Sequence, residues 1–253
     1  MPGGNRIPNA DKTYDKELDD VIALKLISTR QMDPRFVELM KTEIRLARKV
    51  TDANILRTFD FGEVDGLPYL SMEYVRGMTL KYVLENTGSL PFSAALQIAK
   101  QLCSGLIAAH NEDIVHRDVK PANLMLDFTG RVKLMDFGLA GTKTGNKVLG
   151  GTPRYASPEQ LLGEDAGAYG DIFSCGVVLY ELFTGRMPFS VAGKDAKGIV
   201  NTVKTVTPDE PSSLNPGVPD TLNDLILSCI KPNPQQRPAS MQAVLDTLET
   251  IRG

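Results

Sequence analysis

A chain of 253 residues is long enough for one large domain or two small lobes around a substantial core. Its 42% apolar and 23% charged content is that of an ordinary soluble globular fold. A net charge of −3, with no block of lysine or arginine, argues against nucleic acid or an anionic membrane as the main partner.

Residues 1–10 lack an apolar run, so no signal peptide is expected there. Residues 20–27 are apolar and rich in β-branched side chains, and predict a strand. After Asp33-Pro34, an N-cap followed by proline at the first helical position, a helix is expected to residue 50, with Phe36, Leu39, Met40, Ile44 and Ala47 on one stripe. Strands follow at 56–63 and 68–74, joined by Val64-Asp65-Gly66. From Thr79 the pattern turns helical, first at 80–85 and 91–110. A hairpin at 124–126 and 132–134 turns on Asp127-Phe128-Thr129-Gly130, and further helices are expected near 158–162, 170–184, 222–230 and 241–251. The apolar run 172–183 is interrupted by Ser174 and Glu181 and is shorter than the ~20 residues a bilayer needs, so it reads as a core helix and no membrane segment is expected. Cys103, Cys175 and Cys229 show no Cys-x-x-Cys pairing and read as buried free thiols in a reducing compartment.

The chemistry concentrates at 116–138. His116-Arg117-Asp118-Val119-Lys120-Pro121-Ala122-Asn123 precedes the hairpin, and Asp136-Phe137-Gly138 follows it. Asp118 can accept the proton of an attacking hydroxyl, Asn123 and Asp136 offer hard oxygen ligands for Mg²⁺, and Lys120 can neutralise charge on a transferred phosphoryl group. Lys25 ends the apolar strand 21–24, and Glu43 is its natural ion-pair partner on the next helix.

On these residues the chain resembles the protein kinases, and its wording is most similar to bacterial Ser/Thr kinases of the eukaryotic-like type. The resemblance runs from about Val21 to Arg237 and implies an α+β, bilobal fold, with a small β-rich lobe at 1–75, a larger helical lobe at 76–253 and a boundary near Gly77. It implies ATP and Mg²⁺ as cofactors, with Lys25 on the phosphates and fixed by Glu43. Ala23 would lie above the adenine and Met125 below it, Met72 at the back, and the main chain of Glu73 and Val75 at its edge. Asp118 would be the base, Lys120 the charge stabiliser, and Asn123 and Asp136 the metal ligands. His116 would pack in the core, and Arg117 marks the subclass whose loop an activating phosphate can organise. The segment 136–159 resembles an activation segment. Thr152 in it would bond Asp118 and Lys120, pointing to Ser/Thr rather than Tyr acceptors on a protein substrate. Thr144 and Thr142 are candidate autophosphorylation sites, Thr144 the better placed. Asp171 would anchor the catalytic loop, and Arg237 would pair with Glu159. A cytoplasmic location is implied, either alone or as the cytoplasmic part of a longer, membrane-anchored protein.

Three departures stand out. The glycines expected over the phosphates fall at Gly3, Asn5 and Pro8, and Pro8 has no N–H to offer. The small lobe's first strand is therefore expected to be lacking or distorted, and residues 8–12 do not read as a strand. The adenine-covering valine would fall at Ala10. In the hydrophobic column joining the lobes, Ala47 and Thr58 stand beside His116 and Phe137 where bulk is usual, so the Lys25–Glu43 pair is expected to be broken at rest. Ser157 replaces the usual alanine, which reads as mechanistically minor. The competing reading is a pseudokinase-like binding module with a degraded nucleotide lid.

Overall fold

A computed structural model describes residues 10–16, 19–27, 41, 44–45, 48–64, 67–88, 90–137 and 153–252. Four antiparallel strands open it: β1 (Ala10–Asp15), β2 (Asp20–Leu26), β3 (Thr58–Val64) and β4 (Leu67–Glu73), in the spatial order β1-β2-β4-β3. β2 and β4 carry the apolar side chains that a sheet buries, with Ile22 and Ala23 on one and Leu70 and Met72 on the other. Their register sets Ala23 opposite Met72 and Lys25 opposite Leu70.

The expectation that 8–12 forms no strand fails for its described part. Ala10, Asp11 and Lys12 belong to β1, with Ala10 opposite Lys25. Strand preference depends on the neighbour, and the ladder of apolar β2 outweighs the poor intrinsic preference of an Ala-Asp-Lys run. Of the helix expected from Asp33 to residue 50, Lys41, Ile44, Arg45 and residues 48–50 are described: the first three are helical, whereas Arg48 and Lys49 form a turn and Val50 is irregular, so the helix does not reach its expected end.

A second sheet lies in the larger part of the molecule: β5 (Gly77–Thr79), β6 (Leu124–Asp127) and β7 (Val132–Leu134), in that order. β5 was not expected from the sequence. It depends on Gly77, where a Cβ would stand 2.1 Å from the carbonyl oxygen of Leu126, so only glycine allows the two strands to approach. Residues between β2 and β3 tie the sheets together. The N–H of Leu56 donates to Leu134 O at 2.8 Å, Leu134 returns an N–H to Asn54 O at 2.7 Å, and the Asn54 amide reaches Gln101 and Val132 O.

Among the described residues, the α-helices with defined bounds are α1 (Leu80–Thr87), α2 (Phe92–His110), α3 (Pro158–Leu161), α4 (Gly167–Thr184), α5 (Ala196–Thr205), α6 (Pro211–Leu214), α7 (Asp220–Cys229) and α8 (Met241–Thr250). α4 is apolar nearly all round, and such a helix belongs in the centre of a core. It packs on α2 and α7, and α2 packs on α8. Among the described residues α2 is the one helix long and apolar enough to cross a membrane, and half of its most apolar window is buried against these neighbours. The sequence pattern missed α5 and α6. α5 is rich in β-branched residues and contains Gly198, so its packing on Ile199, Val200 and Val203 and its Asp195 N-cap carry it instead of intrinsic preference.

Candidate active site

The turn before β6 holds the densest polar set. Lys120 Nζ donates to Asp118 Oδ2 at 2.6 Å, and Asn123 Nδ2 donates to the same oxygen and to Asp118 O, both at 2.9 Å. Among the described residues these contacts engage Asp118 Oδ2 and the Asn123 side-chain nitrogen, not Asp118 Oδ1 or the Asn123 side-chain oxygen. The loop is braced from beneath by Asp171, fully buried in the first turns of α4, which accepts the N–H of His116 and of Arg117, each at 2.8 Å. His110, at the end of α2, reaches the same carboxylate with Nε2 at 2.8 Å. Arg117 has φ +66° and Asp136 φ +63°, a conformation non-glycine residues adopt only when their surroundings hold them there.

Asp136 follows β7 and meets Lys25 from β2, with Nζ 2.6 Å from Oδ1. This contact joins side chains 111 positions apart and leaves Oδ2 of Asp136 for other partners. Asn123 and Asp136 thus contribute one amide oxygen and one carboxylate. That donor set fits Mg²⁺, which is held by one or two carboxylates and completed by phosphate oxygens and water. No group of three or more His, Cys, Asp and Glu side chains suited to a metal occurs among the described residues.

Above this set lies a buried apolar cluster that includes Ala10, Ala23, Met72, Val75 and Met125. It includes side chains singled out around the adenine together with Ala10. Val75 lies between β4 and β5, outside both strand ladders. The Glu73 carboxylate is engaged, accepting the Arg57 N–H at 2.9 Å and pairing with Lys133 at 2.8 Å. Beside Asp136 a cavity of about 20 Å³, room for about one water, is lined by Ile44, Leu56, Thr58, Leu70, Met72, Asp136 and Phe137. Phe137 packs on His116 at a tilt of 52° with ring centroids 4.6 Å apart, and His116 Nε2 lies 3.0 Å from Met135 O. His116 is fully buried, in keeping with a packing role.

On the far side, Arg237 grips Glu159 through two bonds of 2.6 and 3.0 Å, as expected, and also reaches the carbonyls of Tyr169, Lys231 and Pro232. Tyr155 donates to Glu181 Oε2 at 2.7 Å. Burial pushes the Tyr155 hydroxyl well above its usual range, and burial also raises the Glu181 carboxyl. The three cysteines are buried, as expected. Cys103 and Cys175 lie side by side: the hydrogen bond between them, then burial, raises the Cys175 thiol, and burial raises that of Cys229. Sequence reasoning missed His110 and Gln160. The signal for Gln160 was present in Ser157-x-x-Gln160, the spacing of a helix capping box.

Glu43, Thr152, Gly138, Thr142, Thr144, Gly3, Asn5, Pro8 and Ala47 lie outside the described residues. The expected break of the Lys25–Glu43 pair falls there too.

Comparison with known proteins places this geometry. Residues 8–247 match the family model described as the protein kinase domain. A probable serine/threonine-protein kinase of Clostridium acetobutylicum is 34% identical over 95% of this chain and 37% of its own length. The serine/threonine-protein kinase PrkC of Bacillus subtilis is 36% identical over 93% of this chain and 37% of its own. PksC, a serine/threonine-protein kinase of Streptomyces coelicolor, is 37% identical over 92% of this chain and 44% of its own. The chain thus spans less than half the length of these relatives.

Proposed function

The chain belongs to the protein kinase family, as a serine/threonine protein kinase catalytic domain, and from that premise we propose how its own residues carry the transfer. The observation that carries the reading is the shared hydrogen-bonded set of Asp118, Lys120 and Asn123 beside the Lys25–Asp136 contact. The acceptor is a serine or threonine hydroxyl of a protein. Its oxygen forms the new bond to the γ-phosphorus of ATP as the bond to the bridging oxygen breaks, and its proton passes to Asp118 Oδ1. Lys120, already on the other carboxylate oxygen, offsets the negative charge of the transferred group. Lys25 holds the non-transferring phosphates, with Glu43 as its further partner.

Asn123 Oδ1 and the Asp136 carboxylate would hold Mg²⁺, which when bound supplies positive charge to the phosphate oxygens. Ala23 and Met125 would sandwich the adenine with Met72 behind it, and the main chain of Glu73 and Val75 would read its edge. Thr152 would steady Asp118 and Lys120 at the acceptor. The lobes divide at 1–75 and 76–253, a boundary supported by the pairing of β5 with β6. Asn5 and Pro8, in place of two glycines, would weaken nucleotide binding, and a nucleotide titration as tight as that of a glycine-restored variant would refute this. Thr144, before Thr142, is the expected self-phosphorylation site. Loss of activity in Thr144→Ala but not in Thr142→Ala would support that order. A cytoplasmic setting supplies ATP and keeps the thiols reduced.

The pseudokinase alternative rested on Gly3, Asn5 and Pro8 and is not favoured beside relatives named as kinases. The test is phosphate incorporation from Mg²⁺-ATP into the protein and into a Ser/Thr peptide, compared with Asp118→Asn. Equal incorporation by both would sink the catalytic reading.

A further inference from the structure

Arg117 is the strained residue immediately before the base, and both of its main-chain polar groups are held by side chains from other elements. Its N–H goes to Asp171 Oδ1 at 2.8 Å, and its carbonyl accepts Gln160 Nε2 at 3.0 Å. Gln160 lies in α3, at the end of the segment 136–159, whereas Asp171 lies in α4. The φ of +66° at Arg117 sets the direction in which the chain leaves toward Asp118.

The Gln160 amide can serve this carbonyl in only one of its two flipped orientations. Its Oε1 accepts the Ser157 N–H at 3.0 Å and the Ser157 hydroxyl at 3.1 Å, while the Gln160 N–H returns to that hydroxyl oxygen at 3.4 Å. Flipped, the amide would set donor against donor at Ser157 and acceptor against acceptor at Arg117. Ser157 is fully buried, so no water can substitute for its hydroxyl. Gly170 leaves room for this side chain, since a Cβ there would stand 3.3 Å from the Gln160 Cδ. The serine at 157, which read as a minor departure, is thus the group that orients the glutamine.

We propose that Gln160 is a positioning residue for Asp118, oriented by Ser157, and that this pair couples the end of the activation segment to the catalytic loop. The inference rests on Asp118 acting as the base. When Gln160 releases the Arg117 carbonyl, the loop keeps its Asp171 anchor and its fold, but Asp118 loses alignment with the acceptor hydroxyl. The effect belongs in kcat rather than in nucleotide binding, because Gln160 touches none of the groups around the adenine or Lys25.

The experiment compares wild type, Gln160→Met, Gln160→Glu, Ser157→Ala, the Ser157→Ala/Gln160→Met double variant and Asp118→Asn, measuring kcat, KM for Mg²⁺-ATP and Tm. Gln160→Met is expected to lower kcat on the order of tenfold with KM within about twofold, since small misplacements of a catalytic group cost rate. Gln160→Glu should lose at least as much, because it sets a carboxylate oxygen against the Arg117 carbonyl. Ser157→Ala keeps the N–H donor and should lose about threefold, and the double variant should be no worse than Gln160→Met alone, as a shared interaction requires. Full kcat in Gln160→Met beside an inactive Asp118→Asn would overturn the positioning role and leave the base assignment standing. Additive losses, or a raised KM with unchanged kcat, would also overturn it. If Gln160→Met does not fold, Gln160→Glu and Ser157→Ala decide by the same criteria. Undiminished activity in Asp118→Asn would instead overturn the base assignment, and the positioning role with it.

Discussion

Beneath the cleft the catalytic loop is held from three directions, whereas on its other side the described residues line a small cavity. Asp171 takes two of the loop's N–H groups, His116 packs on Phe137, and Lys120 and Asn123 both close on Asp118. On the other side, Thr58 and Phe137 share a cavity with Ile44 and Met72. Bound polar networks are costly to leave half-made, so the loop holds one arrangement. Side chains that line a cavity lack partner atoms on one side and forfeit those contacts. The base is therefore held by more contacts than the nucleotide-side groups are. Changes below the cleft should register as rate or as global stability, and changes above it as small shifts in packing.

The sharpest way to break this contrast is at the base itself. Asp118→Asn should lower phosphate incorporation by about 10²- to 10⁴-fold, the usual contribution of a general base, while Tm barely moves. A large fall in Tm would mean that Asp118 serves the loop's architecture more than its chemistry. The next largest effect lies in the support. Arg237→Ala leaves Glu159 buried without its guanidinium and should cost about 3–5 kcal/mol in urea unfolding. Glu159→Gln, which keeps the shape and one acceptor, should cost less. Equal losses would show that the ion pair, rather than the carbonyl contacts of Arg237, holds the two segments.

The same division governs what could be read in the sequence. Asp118, Asn123, Asp136 and Lys25 were legible because each motif is compact and its chemistry needs those residue types. The strands from Asp20 and Leu67 were legible because their apolar residues, β-branched Val21 and Ile22 in the first and Tyr69, Leu70 and Met72 in the second, declare a buried sheet. β1 was not, because Ala10, Asp11 and Lys12 become a strand only by pairing with β2. α5 was hidden by Gly198 and its valines, although Asp195 marked its start. The Ser157–Gln160 box was local and readable, yet its target, the Arg117 carbonyl, lies 43 positions away. Lys25–Asp136 and the Cys103–Cys175 contact are likewise products of folding that no local pattern displays.

Above the cleft, Thr58 offers the smaller test. It opens a bulged stretch of β3, where the register with β4 shifts between Thr58 and Asp60, so the strand there is locally less regular. Thr58→Leu should fill the cavity and raise stability by about 1 kcal/mol in thermal unfolding, with Thr58→Val close to neutral. A loss of similar size in Thr58→Leu would show that the lining is already close-packed and would weaken the contrast between the two sides.

The smallest expected effect concerns Glu181, which joins α4 to the segment bearing Tyr155. Burial raises its carboxyl pKa above the ordinary carboxylate value, and the negative charge of Glu85 adds to this, while the Tyr155 hydroxyl and Arg154 oppose it. Between the unfolded and folded pKa values the folded protein therefore holds more protons at this site than the unfolded chain. The stability this group contributes is fully present below the unfolded pKa and is lost as pH rises through the folded one. Removing the charge in Glu181→Gln should flatten the stability–pH curve on the alkaline side of the ordinary glutamate pKa, relative to wild type. Tyr155→Phe removes the hydrogen bond that favours the ionised form, so it should raise the Glu181 pKa further and move that loss to higher pH. Urea unfolding from pH 4 to pH 8 measures both. Curves that superimpose across wild type and the two variants would mean that Glu181 titrates alike in the folded and unfolded chains, and that the contact with Tyr155 has no electrostatic consequence.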